Sequence, residues 1–439
     1  MAAGIGAEAR PAGPAHTRWN FTVLGADIAF FSLGLAISSA YTILPLFVHH
    51  LTANNEAVAL IPAMRALGTY VPPLLVAGLV ERRRHVLPFL LKVTILERVP
   101  YLVLAGASIW LAASHPQALV AIFLLMILIA SLGGGLTYPG WLDMLARAIP
   151  SDWLGRFFGF WSGLGGLVGI GGAALAAAII ANLPWPGSFA LCFLLTFTSF
   201  IFSFVLLSLG REPARTVRDL PGDDAPASTR ASLRQQAHDI VALVREDGGL
   251  RRLIASNGLA GIATMASALF AVAALKRGGL SDAEVGVEST VLFVASTAGY
   301  FLWGTIGDRF GQRTVLIYGS TCAALAAALA IVAHGFLAYA VVFLLLGLNL
   351  SATMLAGFTF ITEFGPEERR PTYIALAAVA YAPWVIGAPI VGGVIADTWG
   401  YLPVFVISAL TGALAALAYR LLVPEPRRRA KQVPAIESR

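Results

Sequence analysis

Twelve apolar runs, each near the roughly 20 residues that carry a helix through a bilayer's hydrocarbon, constrain this chain more than any other feature. They cover 21–48, 57–80, 86–113, 119–138, 157–181 and 189–209, then 253–275, 285–306, 314–333, 336–360, 373–396 and 401–422. In lipid each run must satisfy its own backbone, so the expected fold is an all-α membrane protein of twelve transmembrane helices. Composition agrees, with 58% of the 439 residues hydrophobic and 12% charged, about half the charged share of a soluble chain.

The basic residues are topology signals. Arg10 and Arg18, Arg82 to Arg84, Arg147 and Arg156, the long central connection, Arg309 and Arg313, Arg369 and Arg370, and the tail all fall in alternate gaps. The intervening gaps hold only Lys276 and Arg277. This asymmetry predicts that both termini are cytoplasmic. A net charge of +6 spread this way is not a nucleic-acid footprint, which needs basic residues gathered on one face. Cys192 and Cys322 both sit inside apolar runs, so neither a disulfide framework nor a metal site is expected. Met1 to Asn20 lacks an apolar core followed by a small-residue cleavage site, and reads as a tail. Arginine dominates over lysine in an alanine- and glycine-rich chain, a composition that points to a bacterial cell (plasma or inner) membrane.

The segments divide six and six. The expected organisation is a tail (1–20), a first bundle (21–209), a linker (210–252), a second bundle (253–422) and a second tail (423–439). Within the linker, Pro213, Pro221 and Pro226 break structure, and 232–246 has helical spacing suited to a membrane-surface helix or a spacer. The halves repeat one pattern: Asp143, Pro150 and Arg156 follow the fourth run as Glu363, Pro366 and Arg369 follow the tenth. Duplicated bundles of this kind build carriers that rock about a midplane site.

Between the eighth and ninth runs stands Gly304-x-x-x-Asp308-Arg309-x-Gly311-x-Arg313. Its glycines permit close approach and a sharp reversal, and Asp308 can meet a cation or a helix N-terminus. With twelve spans and a central linker, this stretch resembles the signature loop of the major facilitator superfamily, and the resemblance covers nearly the whole chain. The equivalent place in the first half carries only Glu81-Arg82-Arg83-Arg84, without the second glycine. The glycine-rich fifth segment lacks the proline of the drug-exporter pattern. The resemblance implies that Asp308 is a conformational latch supported by Gly304, Arg309, Gly311 and Arg313. Its counterpart would be Arg156 at the start of the fifth helix. It also implies a central cavity lined by the first, fourth, seventh and tenth helices, with Tyr41, Tyr138, Asn257 and Asn349 as lining residues. Tyr381 and Trp384 would join them from the eleventh.

Charges inside spans are costly and mark function or structural pairs. Asp27 and Lys92 lie at similar depth, about 10 Å in at 1.5 Å per residue, and are expected to pair. Arg65 and Glu97 share another level, leaving Arg98 unpaired or reaching a cavity. Either Asp27 or Glu97 would carry a coupling proton, with Arg65 or Arg98 holding a substrate anion, or the pairs would tie helices together. The adjacent pair His49-His50 does not share a helix face and makes a poor metal site.

The resulting expectation is a secondary active transporter moving a small solute by alternating access. No phosphate-cradling Gly-x-x-x-x-Gly-Lys-Ser/Thr loop is present, so an ion gradient, that of protons first, or the solute's own gradient would drive it. The mostly neutral lining leans toward export of neutral or amphipathic compounds; an importer, or a non-transporting sensor or assembly protein on the same fold, is the alternative. No enzymatic activity and no cofactor are expected. The expected partners are the solute, protons and the bilayer, without nucleic acid, and the chain would act as a monomer.

Overall fold

A broken first helix sets the architecture. In the computed structural model, which describes residues 14–73, 76, 80, 83–213, 248–362 and 370–423, α1 (Pro14–Ile37) stops at Ser38 and α2 (Ile43–Leu51) resumes the crossing. Pro45 has no N–H to offer the Tyr41 carbonyl, so the helical ladder loses a bond at this point. The gap is held instead by Leu44 N–H on the Ser39 carbonyl (2.9 Å) and by the Ser38 and Thr196 hydroxyls (2.6 Å). The seventh crossing breaks at the matching place. There α9 (Gly248–Ala263) passes through a tight 3₁₀ turn at Thr264–Ala266 before α10 (Leu269–Lys276).

The other first-half helices are α3 (Asn55–Tyr70), α4 (Leu87–Val93), α5 (Ile95–Leu111), α6 (Pro116–Ala148), α7 (Ser151–Asn182) and α8 (Gly187–Ser208). The second half adds α11 (Asp282–Phe310), α12 (Gln312–Val332), α13 (Gly335–Thr362), α14 (Arg370–Trp399) and α15 (Tyr401–Leu421). Among the described residues, ten crossings are long and apolar enough as helices to span a membrane. The second is represented by the shorter α3, and the third is divided at Thr94 into α4 and α5. This is a multi-pass membrane protein with the expected two halves. The stretches 1–13, 214–247, 363–369 and 424–439 lie outside the described residues, and with them the expected linker helix, Glu81-Arg82 and the Glu363 to Arg369 repeat.

Two long helix pairs make most of the contact between the halves, α3 against α14 and α7 against α11. Small residues make both seams possible. A Cβ on Gly166 would lie 2.7 Å from Thr297, and Gly286 fronts Ala177 at 3.0 Å. The glycine run of the fifth crossing is two-sided, since Gly165 and Gly172 face Ser32 and Leu33 of α1 while Gly166 and Gly169 face α11. Packing within the half and packing across the seam thus use alternate glycines of one helix.

The arginine-rich connections define one face of the bundle, the basic face. On it, the first residues of the central connection are pinned to the first half. Glu212, on which sequence reasoning had placed no role, accepts the backbone N–H groups of Val86 (2.7 Å) and Leu87 (2.8 Å) at the start of α4. It also takes Arg147 Nη2 at 2.7 Å, and the same guanidinium reaches Asp143 at 2.7 Å. A carboxylate at a helix N-terminus meets free N–H groups and the positive end of the helix dipole.

The candidate functional site

At the face opposite the basic one, the halves are sealed. Asp397, near the end of α14, accepts Asn55 N–H (2.9 Å), the Asn55 amide (2.7 Å) and Glu56 N–H (3.0 Å) at the N-terminus of α3. Tyr401 donates to the Asn55 side-chain oxygen at 2.6 Å. Nearby, His50 meets Asp282 at 2.7 Å and stacks on Trp185, which gives this histidine a structural partner. Thr42, in the break of the first crossing, donates to Ser289 on α11 at 2.8 Å. Beneath these bonds, Ile43, Leu44, Leu46 and Phe47 of α2 and Leu269, Ala271, Val272 and Ala273 of α10 are completely buried. The two short half-helices therefore form the plug. Asp397→Ala should loosen it by about 1 kcal/mol, a charged hydrogen-bond contribution discounted for exposure. The expected readout is about fivefold faster labelling of a Ser39→Cys variant by a membrane-impermeant thiol reagent from that face. Unchanged labelling would show that the apolar plug alone makes the seal.

Behind the plug, tyrosines from both halves converge. Tyr70 and Tyr381 meet edge to face at 5.7 Å, and Tyr41 lies within electrostatic reach of Tyr70, Tyr300 and Tyr381. Arg65 is half-buried beside Tyr41 and within hydrogen-bonding reach of Tyr101, and it forms no ion pair among the described residues. Trp384 packs over Gly258 and Gly261 of α9 and keeps 44% of its surface exposed. Tyr138 is equally open and stacks on Trp141. Asn257 instead accepts Tyr419 (2.6 Å) and Asn349 donates to the Gly319 carbonyl (2.9 Å), both inside the second half. Four of the six expected lining residues thus present open or half-open surface between or beside the halves, and the two asparagines cross-link helices.

The buried charges pair differently from the depth argument. Lys92 is exposed, and Asp27 accepts Ser203 (2.6 Å) and Trp141 Nε1 (3.3 Å). Arg98, far from being unpaired, is 3% exposed and donates to the carbonyls of Phe200 (2.9 Å) and Thr94 (2.8 Å), to the Thr94 hydroxyl and to Ser203 (3.1 Å). Glu97 closes the network, taking Arg98 at 3.2 Å and Thr94 Oγ1 at 2.6 Å. Neither the Asp27–Lys92 nor the Arg65–Glu97 pair forms. Matching depth did not find the partners: Asp27 shares Ser203 with Arg98 instead of lying level with Lys92, and the break at Thr94 and the direction each side chain takes around its helix decide the pairing.

At the signature turn, Gly311 adopts φ +90°, the left-handed region that favours glycine, and makes the reversal. The close approach is at Gly307, where a Cβ would meet the Gln312 amide at 2.8 Å, whereas Gly304 faces open space. Arg313 donates to the Val423 carbonyl (2.9 Å), tying the turn to the end of α15. Asp308, Arg309 and Arg156 are all exposed.

Two six-helix halves, sealed at one face over a pair of broken helices with polar aromatic side chains behind the seal, define the scaffold of a membrane carrier. The sequence profile of the Major Facilitator Superfamily matches residues 26–275 and 253–438, and the chain belongs to that superfamily. Human synaptic vesicle glycoprotein 2A is 26% identical over 192 residues, which is 42% of this chain and 25% of that protein. The Bacillus subtilis protein NiaP, named for niacin and nicotinamide transport, is 25% identical over 175 residues, or 38% of this chain and 44% of its own. The matched stretch thus spans less than half the length of either relative. Among solved structures, the nucleoside transporter NupG (D323A mutant) superposes with a TM-score of 0.70 at 12% identity, covering 92% of this chain and 100% of that one, a likeness of fold.

Proposed function

We propose that this protein is a secondary active transporter that carries a small organic solute by alternating access, driven by an ion gradient, with protons as the coupling ion. The observation that carries this reading is the seal at one face lying directly over tyrosines contributed by both halves. A site shared by two bundles changes its access when the bundles rock. By the arginine distribution the basic face is cytoplasmic and the sealed face external, in the cell membrane of a bacterium. The chain works as a monomer.

The solute site is Tyr41, Tyr138, Tyr381, Trp384 and Arg65, joined by Tyr70 and Tyr300. Its rings suit a planar or amphipathic compound. Arg65, without an acidic partner among the described residues, widens the range from neutral compounds to those bearing a carboxylate, in keeping with the name of NiaP. Export is the favoured direction, and import runs the same cycle in reverse. Counterflow of radiolabelled aromatic and carboxylate solutes into proteoliposomes free of ATP tests the reading. Strict dependence on ATP would overturn it, and binding without counterflow would favour a sensor.

Asp308 is proposed as a reversible latch toward Arg156, made when the basic face closes. The exposure of both side chains suits partners that meet in the other state. Asp308→Asn should slow exchange about tenfold, the effect of roughly 1–2 kcal/mol on a switch that must reopen each cycle. Solute preference should stay unchanged. Altered preference at an unchanged exchange rate would place Asp308 in binding instead.

A further inference from the structure

One carboxyl in the second half has no place in the pairs described above. Glu288 lies on α11 immediately before Ser289, the acceptor of the Thr42 bond across the seal. It is 0% exposed, and among the described residues neither of its oxygens meets a donor. It falls on the same helical stripe as Val285, Leu292 and Ala295, all buried and apolar.

The charges nearby do not compensate it. Glu284, one turn further out, has the same sign and adds to the cost of ionising Glu288. From α2, His50 is committed to Asp282, and His49 lies beside Lys276 of α10. Arg277, just past α10, donates to the Ile331 carbonyl. From α13, Tyr339 is a buried hydroxyl beside that same Arg277. From α7, the seam residue opposite this turn is Ala177. An ionised carboxylate enclosed among apolar groups without donor or counter-ion is expensive, whereas the neutral acid is tolerated.

We propose that Glu288 is a proton-binding site that makes closure of this face depend on protonation. When the seams part, water reaches the outer end of α11 and the carboxyl ionises. A proton from that solution must bond to a carboxylate oxygen before the plug can enclose it again. The closed state therefore holds one proton more than the open state. Its population is greatest at low pH and declines as pH rises, by at most about tenfold per pH unit. The inference rests on the alternating-access reading, because it needs a second, open state.

The test uses the full chain in lipid nanodiscs, with Cys322→Ser removing the half-exposed native thiol. Spin labels go at Ala53→Cys and Leu337→Cys, exposed positions of opposite halves on the sealed face. Distance distributions are recorded from about pH 5 to about pH 9. The expected result is a closed fraction that falls with pH along a one-proton curve. E288Q should stay closed throughout, and E284Q should keep the wild-type curve. E288L serves as a second neutral variant if E288Q folds poorly. A wild-type curve in the neutral variants, or two populations indifferent to pH, would overturn the proton site and leave alternating access standing. A single population under every condition, Gly393→Val included, would overturn both.

Discussion

Arg98→Met is expected to yield a protein that folds poorly or melts far below the parent in detergent. The guanidinium is 3% exposed and bonds to the carbonyls of α8 and of the α4–α5 junction while facing the acids Asp27 and Glu97. Methionine fills much of the volume but leaves two carboxyls and several acceptors enclosed without their cation. Removing one partner from a buried ionic group typically costs about 3–5 kcal/mol, a large fraction of a usual folding free energy. Adding Asp27→Asn and Glu97→Gln to the same chain should recover most of the loss, because the uncompensated charge is then gone. Thermal unfolding followed by tryptophan fluorescence measures both. A wild-type melting profile for Arg98→Met would show that the network carries no structural weight. Normal folding with lost concentrative uptake would make Asp27 or Glu97 the coupling site.

The second large effect is expected at Gly393. A Cβ there would sit 2.7 Å from the Ala59 Cβ and 2.8 Å from the Glu56 Cα, and backbone cannot swing aside as a side-chain tip can. Gly393→Val therefore drives a wedge between α14 and α3. Overpacking costs about 1–3 kcal/mol, and here the cost falls on the sealed arrangement, because the clashing atoms belong to the other half. The equilibrium should move toward the state open at that face by about 5–150-fold. Spin-label distances between positions 53 and 337 report the shift. A distribution identical to the parent's would mean that this seam is not the contact that closes the protein.

These two residues also mark where sequence reasoning succeeds and where it stops. The twelve crossings were legible because hydropathy over some 20 residues is a property of the chain alone. The turn at Gly311 was legible because its glycine sits between two such runs. The breaks at 38–42 and 264–268 were not, since the apolar composition continues straight through them. Their local signals were Pro45, one turn past the first break, and the Ser and Thr clusters. Arg98 looked surplus because depth alone assigns Lys92 to Asp27, while the partners that matter, Ser203 and the Phe200 carbonyl, lie on a helix chosen by packing. Glu288 sits one turn inside its run and reads as a flanking acid until burial is known. Asp397 and Asn55 stand 342 residues apart, and nothing in either segment announces the other.

The arrangement around Arg98 also bears on how the protein comes to be made. The third crossing emerges carrying a guanidinium whose acceptors, Phe200 and Ser203, are synthesised 102 and 105 residues later. Asp27 waits longer, 176 residues, for its serine. Until the sixth crossing leaves the ribosome, Arg98 has only Thr94 and Glu97 of its own crossing and Asp27 lacks its serine, an arrangement costly in lipid that favours holding the first and third crossings at the insertion machinery or the membrane surface. The first half is thereby committed as a unit, all six crossings together. A nascent chain stalled before residue 200 should remain extractable from the membrane, whereas one released just beyond the sixth crossing should already be integrated.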